Sequence, residues 1–278
     1  MKYIYLIMLA TILLGCSGME DSEYKLQRDR NQKGEYIYRS NQHHLATNPV
    51  PIQRIRGRYP WEKNLVGAHP KITKEFFRCK GNGLNASRII TEAGKEPVRL
   101  SDCGGIDKHS LYLRGGDEFI YPILLDLLNY VQARTGKRVV ITSGYRCPEH
   151  NAYVDSSIRS RTSKHMIGAE VDFYVQGLES RPEVIIKLLQ QYYLEMPKYK
   201  GQKSFECFDR YDKKECYVST LPWYNKEIFI KLYKPSEGRD FDNRHAYSYI
   251  NIQVRYDFDR KESVVYNWND AFHNYHRK

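Results

Sequence analysis

Two short stretches carry the residues best suited to chemistry. In "SKHMIGAEVDF", residues 163–173, His165 and Asp172 stand seven positions apart with Gly168 between them. Asp is a poor strand former and is seldom buried without a partner. An aspartate in this apolar run therefore calls for an arginine, a backbone amide or a cation. A metal satisfies that need, because zinc accepts both imidazole nitrogen and carboxylate oxygen. In "TSGYRCPEHN", residues 142–151, Arg146 follows a glycine at the end of a β-branched run. A guanidinium there can grip a substrate carboxylate through two parallel hydrogen bonds. Its plain alternative is a structural pair with Asp172 or another acid.

The neighbouring text supplies elements that would hold these groups. "DEFIYPILLDLLNYVQARTGK" places Ile120, Ile123, Leu124, Leu127, Leu128 and Val131 at helical spacing. Asp117 is the expected N-cap, Pro122 falls in the first turns, and Gly136 ends the helix. "RVVITSGYR" reads as a strand, and residues 147–164 as a long polar loop in which His150 and Asn151 are loop residues. "AEVDFYV" is a strand with Val171, Phe173 and Val175 on one face and Glu170, Asp172 and Tyr174 on the other. Pro182 opens a second helix, "PEVIIKLLQQYYLE". Short strands are expected at "PVRL" and "SLYLR", and the end of the chain is strand-rich, at "CYVST", "EIFIKLYK", "YSYINIQVRYDF" and "SVVYNW". Helices early and strands late predict an α+β fold with a mainly antiparallel sheet.

The chain has 278 residues, 41% hydrophobic and 28% charged, which is the composition of a globular protein. Residues 1–15 differ: Lys2 is the only charge, and the apolar stretch is short for a membrane span. Residues 16–65 are polar and show no period, so they are expected to be a tether and an irregular lead-in to a domain over 66–278. The net charge of +11 favours an anionic partner such as wall polymer or phospholipid, but the basic residues are scattered and no nucleic-acid partner is expected. Six cysteines occur, at 16, 79, 103, 147, 207 and 216. Cys207 and Cys216 bracket a charged segment and are expected to pair. Cys79 with Cys103, or Cys103 with Cys147, are open alternatives. None shows the CxxC spacing of a structural zinc site.

The amino terminus, "LLGC" after a short apolar run, resembles a bacterial lipoprotein signal. That resemblance implies cleavage before Cys16, lipidation of Cys16, and an exported protein held to a bacterial membrane by its lipid. Ser143–Arg146 and Asn151, followed by Ser163, His165, Gly168 and Asp172, resemble the zinc D-Ala-D-Ala carboxypeptidases and related peptidoglycan peptidases, an M15-like family that shares the hedgehog/DD-peptidase fold. The likeness runs over about residues 117–260. It implies a Zn2+ ion on His165 and Asp172, Arg146 and Ser163 at the substrate, and stem peptides of peptidoglycan as substrate, with carboxypeptidase or endopeptidase action left open. The family's third ligand is a histidine on a late strand, where this chain has Asn251, with Gln253 at the following Asp position. "DNRH" offers a substitute: His245 as third ligand and Asp242 as the base taking a proton from bound water. The alternative is a catalytically inactive, wall-binding lipoprotein that retains the fold.

Overall fold

The apolar spacing of residues 120–131 produces the expected helix. In the computed structural model, which describes residues 64–277 except 92, 93, 95, 156–161 and 213–217, helix α1 spans Pro122–Thr135. Pro122 occupies its first turn, and Gly136 ends it in the left-handed region. Ile123, Leu124, Leu127, Leu128 and Val131 are all buried. Asp117 is not the cap. It lies in a two-residue strand, Asp117–Glu118, that folds back on Leu113–Arg114 across Gly115 and Gly116. The hairpin ends before the helix begins, and Tyr121 precedes Pro122 instead.

A six-stranded sheet holds the molecule together. Its strands are β1 (Val139–Ser143), β2 (Glu170–Val175), β3 (Asp209–Arg210), β4 (Trp223–Tyr224), β5 (Ile228–Tyr233) and β6 (Tyr249–Val254). The order is β1-β2-β6-β5-β4-β3, and every pairing is antiparallel. With five α-helices among the described residues, the α+β expectation holds. Besides α1, these are α2 (Pro148–Val154), α3 (Pro182–Glu195), α4 (Lys203–Glu206) and α5 (Trp268–His273).

Helices α1 and α3 pack on each other and on β1, β2 and β6. Alternation along a strand sends successive side chains to opposite faces. Val171 and Phe173 on β2 stand opposite Ile252 and Ile250 on β6, and all four are buried in the core. The same register sets Asp172 opposite Asn251 and Glu170 opposite Gln253 on the other face. A register shift between Ile141 and Ser143 brings Ser143 opposite Asp172, because an irregularity of this kind re-aims the end of a strand.

Two further expectations are corrected. The polar loop after Cys147 contains α2, capped by the Cys147 sulfur and started by Pro148. His150, Asn151, Tyr153 and Val154 are buried on it, an amphipathic face too short to be read against its polar flanks. Of "SVVYNW", residues 263–268, only Ser263 lies in a strand, Glu262–Ser263, and Trp268 already begins α5. Residues 1–63 lie outside the described residues, and with them the signal segment, Cys16 and nearly all of the lead-in. No helix among the described residues is long and apolar enough to cross a membrane. Cys207 is exposed, and its expected partner Cys216 lies outside the described residues.

A further carboxylate is buried immediately before β5. Glu227 is 2% exposed and accepts from the Tyr199 hydroxyl at 2.5 Å. Burial pushes its carboxyl up from the ordinary value of 4.5, and the Tyr199 hydroxyl opposes this only in part.

Candidate active site

His165 and Asp172 meet at one end of the sheet. His165 lies in a 3-10 turn, Lys164–Ile167, whose cap Ser163 accepts from the His165 N–H at 3.2 Å. Gly168 then takes φ +66°, and a side chain there would sit 2.8 Å from the Phe119 carbonyl. Only glycine allows this reversal, which carries the chain from His165 directly into β2. His165 Nε2 faces Asp172 Oδ2 at 3.6 Å and Glu170 Oε1 at 3.7 Å. Its Nδ1 is 2.6 Å from the Gly144 carbonyl. Nδ1 must donate there, so in the neutral ring Nε2 presents a lone pair to two carboxylates.

Two carboxylates and a lone pair facing one another require a proton or a cation between them. Zinc bonds of about 2.0–2.2 Å separate neighbouring ligand atoms by about 3.3–3.6 Å in a tetrahedral site. The two spacings around Nε2 are close to that range, so each carboxylate suits His165 as a co-ligand. Among the described residues, however, the three ligand atoms do not all lie within 4.8 Å of one another, and a side chain would have to shift for them to close on one ion. Burial opposes a charged His165, but Glu170 and Asp172 together raise its pKa. Burial likewise opposes both anions, and His165 is the main influence holding each below the ordinary value.

Asn251 occupies the strand position across from Asp172. Its amide nitrogen donates to Asp172 Oδ1 at 2.6 Å and to Glu170 Oε1 at 2.8 Å. Gln253 adds a donor to Glu170 Oε1 at 2.7 Å, and Asn243 one to Asp172 Oδ2 at 2.9 Å. The amide thus sits between the carboxylates and neutralises part of their repulsion.

His245 does not complete a ligand group with this pair, although the Asp172 carboxylate is close enough to act on its ring. Its ring packs among Tyr174, Tyr247 and Tyr249, with centroids 5.2–5.8 Å away. Among the described residues, His165, Asp172 and His245 do not form a group whose ligand atoms all lie within 4.8 Å of one another. The D-x-x-H spacing does not aim the ring, because the loop is packed through its aromatic neighbours.

Asp242 touches the site through Arg146 and Ser143 rather than from the cavity lining. Its Oδ2 takes the Ser143 hydroxyl at 2.8 Å and Arg146 Nε at 3.0 Å, and its Oδ1 lies 3.0 Å from His150 Nε2. Burial raises its pKa, but His150 and Arg146 outweigh this and hold it well below the ordinary range. A carboxylate so engaged is an anchor for its neighbours and a poor proton acceptor. Arg146 is 4% exposed, with Nη2 2.6 Å from Asp240 and 3.6 Å from Asp172. The structural pairing weighed for it is therefore present, alongside its place on the cavity wall. Ser163 also points inward, with its hydroxyl 3.3 Å from Glu170 Oε2.

His165, Glu170, Asp172, Asn251, Arg146, Asp240 and Ser163 line a cavity of about 620 Å³ with Tyr233, Tyr249 and Lys164. Sequence reasoning passed over four contributors. Glu170 shares the face of Asp172 because it lies two residues before it on a strand, and that spacing was the available signal. His150 is a buried link, 2.7 Å from Asp102 and 3.0 Å from Asp242, rather than a loop residue. Asp240 and Asn243 come from a loop without periodicity, and no signal marked them.

Residues 103–204 match the family model described as Peptidase M15, which supports an M15-like zinc peptidase family. The matched span contains Arg146, Ser163, His165, Glu170 and Asp172, and it ends before Asp242, His245 and Asn251. No curated protein and no solved structure matches the chain.

Proposed function

We propose that this protein is a zinc-dependent peptidase acting on D-amino-acid-containing peptides of peptidoglycan, as a carboxypeptidase or an endopeptidase, on a hedgehog/DD-peptidase-like fold. The observation that carries the reading is the His165 lone pair facing Asp172 and Glu170 beside Arg146 on one cavity wall. His165 and Asp172 would hold the metal, with Glu170 in the third place instead of His245. When bound, zinc supplies a Lewis acid for the scissile carbonyl and lowers the pKa of water. The Gly144 carbonyl fixes the His165 tautomer, and Ser163 orients both His165 and Glu170. Arg146, held by Asp240 and Asp242, places a cation where a peptide carboxylate or carbonyl would enter. An exported, Cys16-lipidated protein would meet this polymer at the membrane surface.

One observation favours the second reading, an inactive wall-binding lipoprotein. Asn251 donates to both carboxylates from the strand position of the family's third ligand, and so performs part of a cation's task. The two readings separate when the full-length, zinc-supplemented protein is incubated with purified sacculi and stem peptides. Mass-spectrometric detection of released D-alanine or opened crosslinks supports the peptidase. Sacculus binding without any cleaved product overturns it in favour of the second reading.

A further inference from the structure

A second cluster of metal-binding side chains lies behind the cavity wall. Cys79, Cys103, His109 and Cys147 are all buried, and their ligand atoms all lie within 4.8 Å of one another. They arrive on three separate segments. Cys79 follows the 3-10 turn Lys74–Phe77, Cys103 and His109 flank the turn Gly105–Asp107, and Cys147 caps α2. We propose that these four residues form a closed structural zinc site of the Cys3His type, separate from the cavity.

The geometry suits the ion. Zinc bonds of about 2.3 Å to sulfur and about 2.0 Å to nitrogen make tetrahedral S–S and S–N edges of about 3.8 and about 3.5 Å. Cys79 and Cys103 sulfurs are 3.7 Å apart, and Cys103 Sγ is 3.4 Å from His109 Nε2. His109 Nδ1 lies 2.8 Å from the Ser110 carbonyl, so its proton is held there and the Nε2 lone pair is turned to the sulfurs. That outer hydrogen bond is the usual support of a metal-bound imidazole. The Gly105 and His150 backbone N–H groups point at Cys103 and Cys147 sulfurs, each at 3.4 Å, as thiolates require. The loops close tightly around the sulfurs: a Cβ at Gly81 would sit 2.0 Å from Cys103 Sγ. Four protein ligands leave no open position, which is the mark of a structural site.

The absence of CxxC spacing thus misleads, because the ligands are gathered by tertiary structure. The site also has a place in the account of the cavity. Cys147 directly follows Arg146, and Asp102, which directly precedes Cys103, holds His150 at 2.7 Å; His150 in turn holds Asp242. A zinc ion here would fasten the corner from which Arg146 extends. The rival chemistry, in an oxidising compartment, is a Cys79–Cys103 disulfide.

The test uses full-length protein in detergent, loaded with cobalt(II) in place of zinc. Thiolate-to-cobalt charge-transfer absorption, with the strong visible bands of tetrahedral cobalt, is expected in the wild type and in H165A, and is lost in C103S and H109A. Wild-type protein provides the readout that does not depend on a variant's folding. Its Cys79, Cys103 and Cys147 should resist alkylation until a mercurial displaces the metal, which releases one zinc equivalent to a chromogenic chelator. A Cys79–Cys103 disulfide on non-reducing peptide mapping, or freely alkylated thiols with no charge-transfer band after loading, overturns the proposal. Because the H165A protein retains the signal in this experiment, failure here leaves the cavity reading standing, and the reverse also holds.

Discussion

Replacing Asn251 with leucine tests whether its amide holds two buried anions together. The substitution keeps the approximate shape and removes the donor shared by Asp172 and Glu170, at 2.6 and 2.8 Å. A hydrogen bond to a charged group contributes about 1.5–3 kcal/mol, so two lost bonds set a range of about 3–6 kcal/mol. Each carboxylate keeps one other amide donor, Asn243 or Gln253. The expected loss is therefore at the lower end, about 3 kcal/mol, a large share of a typical stability of about 5–15 kcal/mol. It should appear in urea unfolding of the metal-free protein as a lower midpoint with unchanged slope. The pH dependence has a definite sign. Both carboxyls are held below their ordinary values in the folded protein, so their contribution is present above the unfolded values, about 3.9 and 4.3, and is lost as pH falls. Losing the amide raises the folded values, and the deficit should be larger at neutral pH than in mild acid. Added zinc should recover most of it, as a cation replaces the missing donor. A deficit below about 1 kcal/mol, or one independent of pH, refutes the argument that Asn251 offsets the repulsion of two ionised carboxylates.

Three further outcomes follow from separate parts of the molecule. Arg146→Met should destabilise by about 3 kcal/mol in urea melts, because half-buried Asp240 loses its cation while Asp242 keeps His150, and it should abolish peptide cleavage. Glu227 has a raised folded pKa, so its contribution is fully present below about 4.3 and lost as pH rises through the folded value; Glu227→Gln should flatten that part of a stability–pH curve. Cys16→Ser should lose detergent-phase partitioning and fatty-acid labelling, and unchanged partitioning would remove the lipid anchor from the account.

Local patterns were the legible part of this chain. The burial of α1 at Ile123, Leu124, Leu127, Leu128 and Val131 follows its 3.6-residue period, and β2 and α3 follow their own spacing and Pro182. His165 and Asp172 were legible because one turn and one strand place both, seven positions apart. What needed the fold was the convergence of distant segments. Glu170 was visible only as a polar strand residue until His165 was seen to face it. His245 matched a spacing, but its ring packs on three tyrosines, which no spacing announces. The Cys79, Cys103, His109 and Cys147 cluster joins segments up to the start of α2, and no local spacing announces it. Helix α2 was hidden because its seven residues are too few to show a period beside the polar stretch that follows them.

The central claim is that His165 and Asp172 hold a metal without His245, and zinc content measures it most directly. Full-length wild-type protein and its H165A, D172N, E170Q and H245A variants would be desalted identically and assayed by elemental analysis per chain. The account predicts that H165A, D172N and E170Q each bind one zinc fewer than wild type, while H245A binds as much. Equal zinc in H165A and wild type, or a loss confined to H245A, would contradict it.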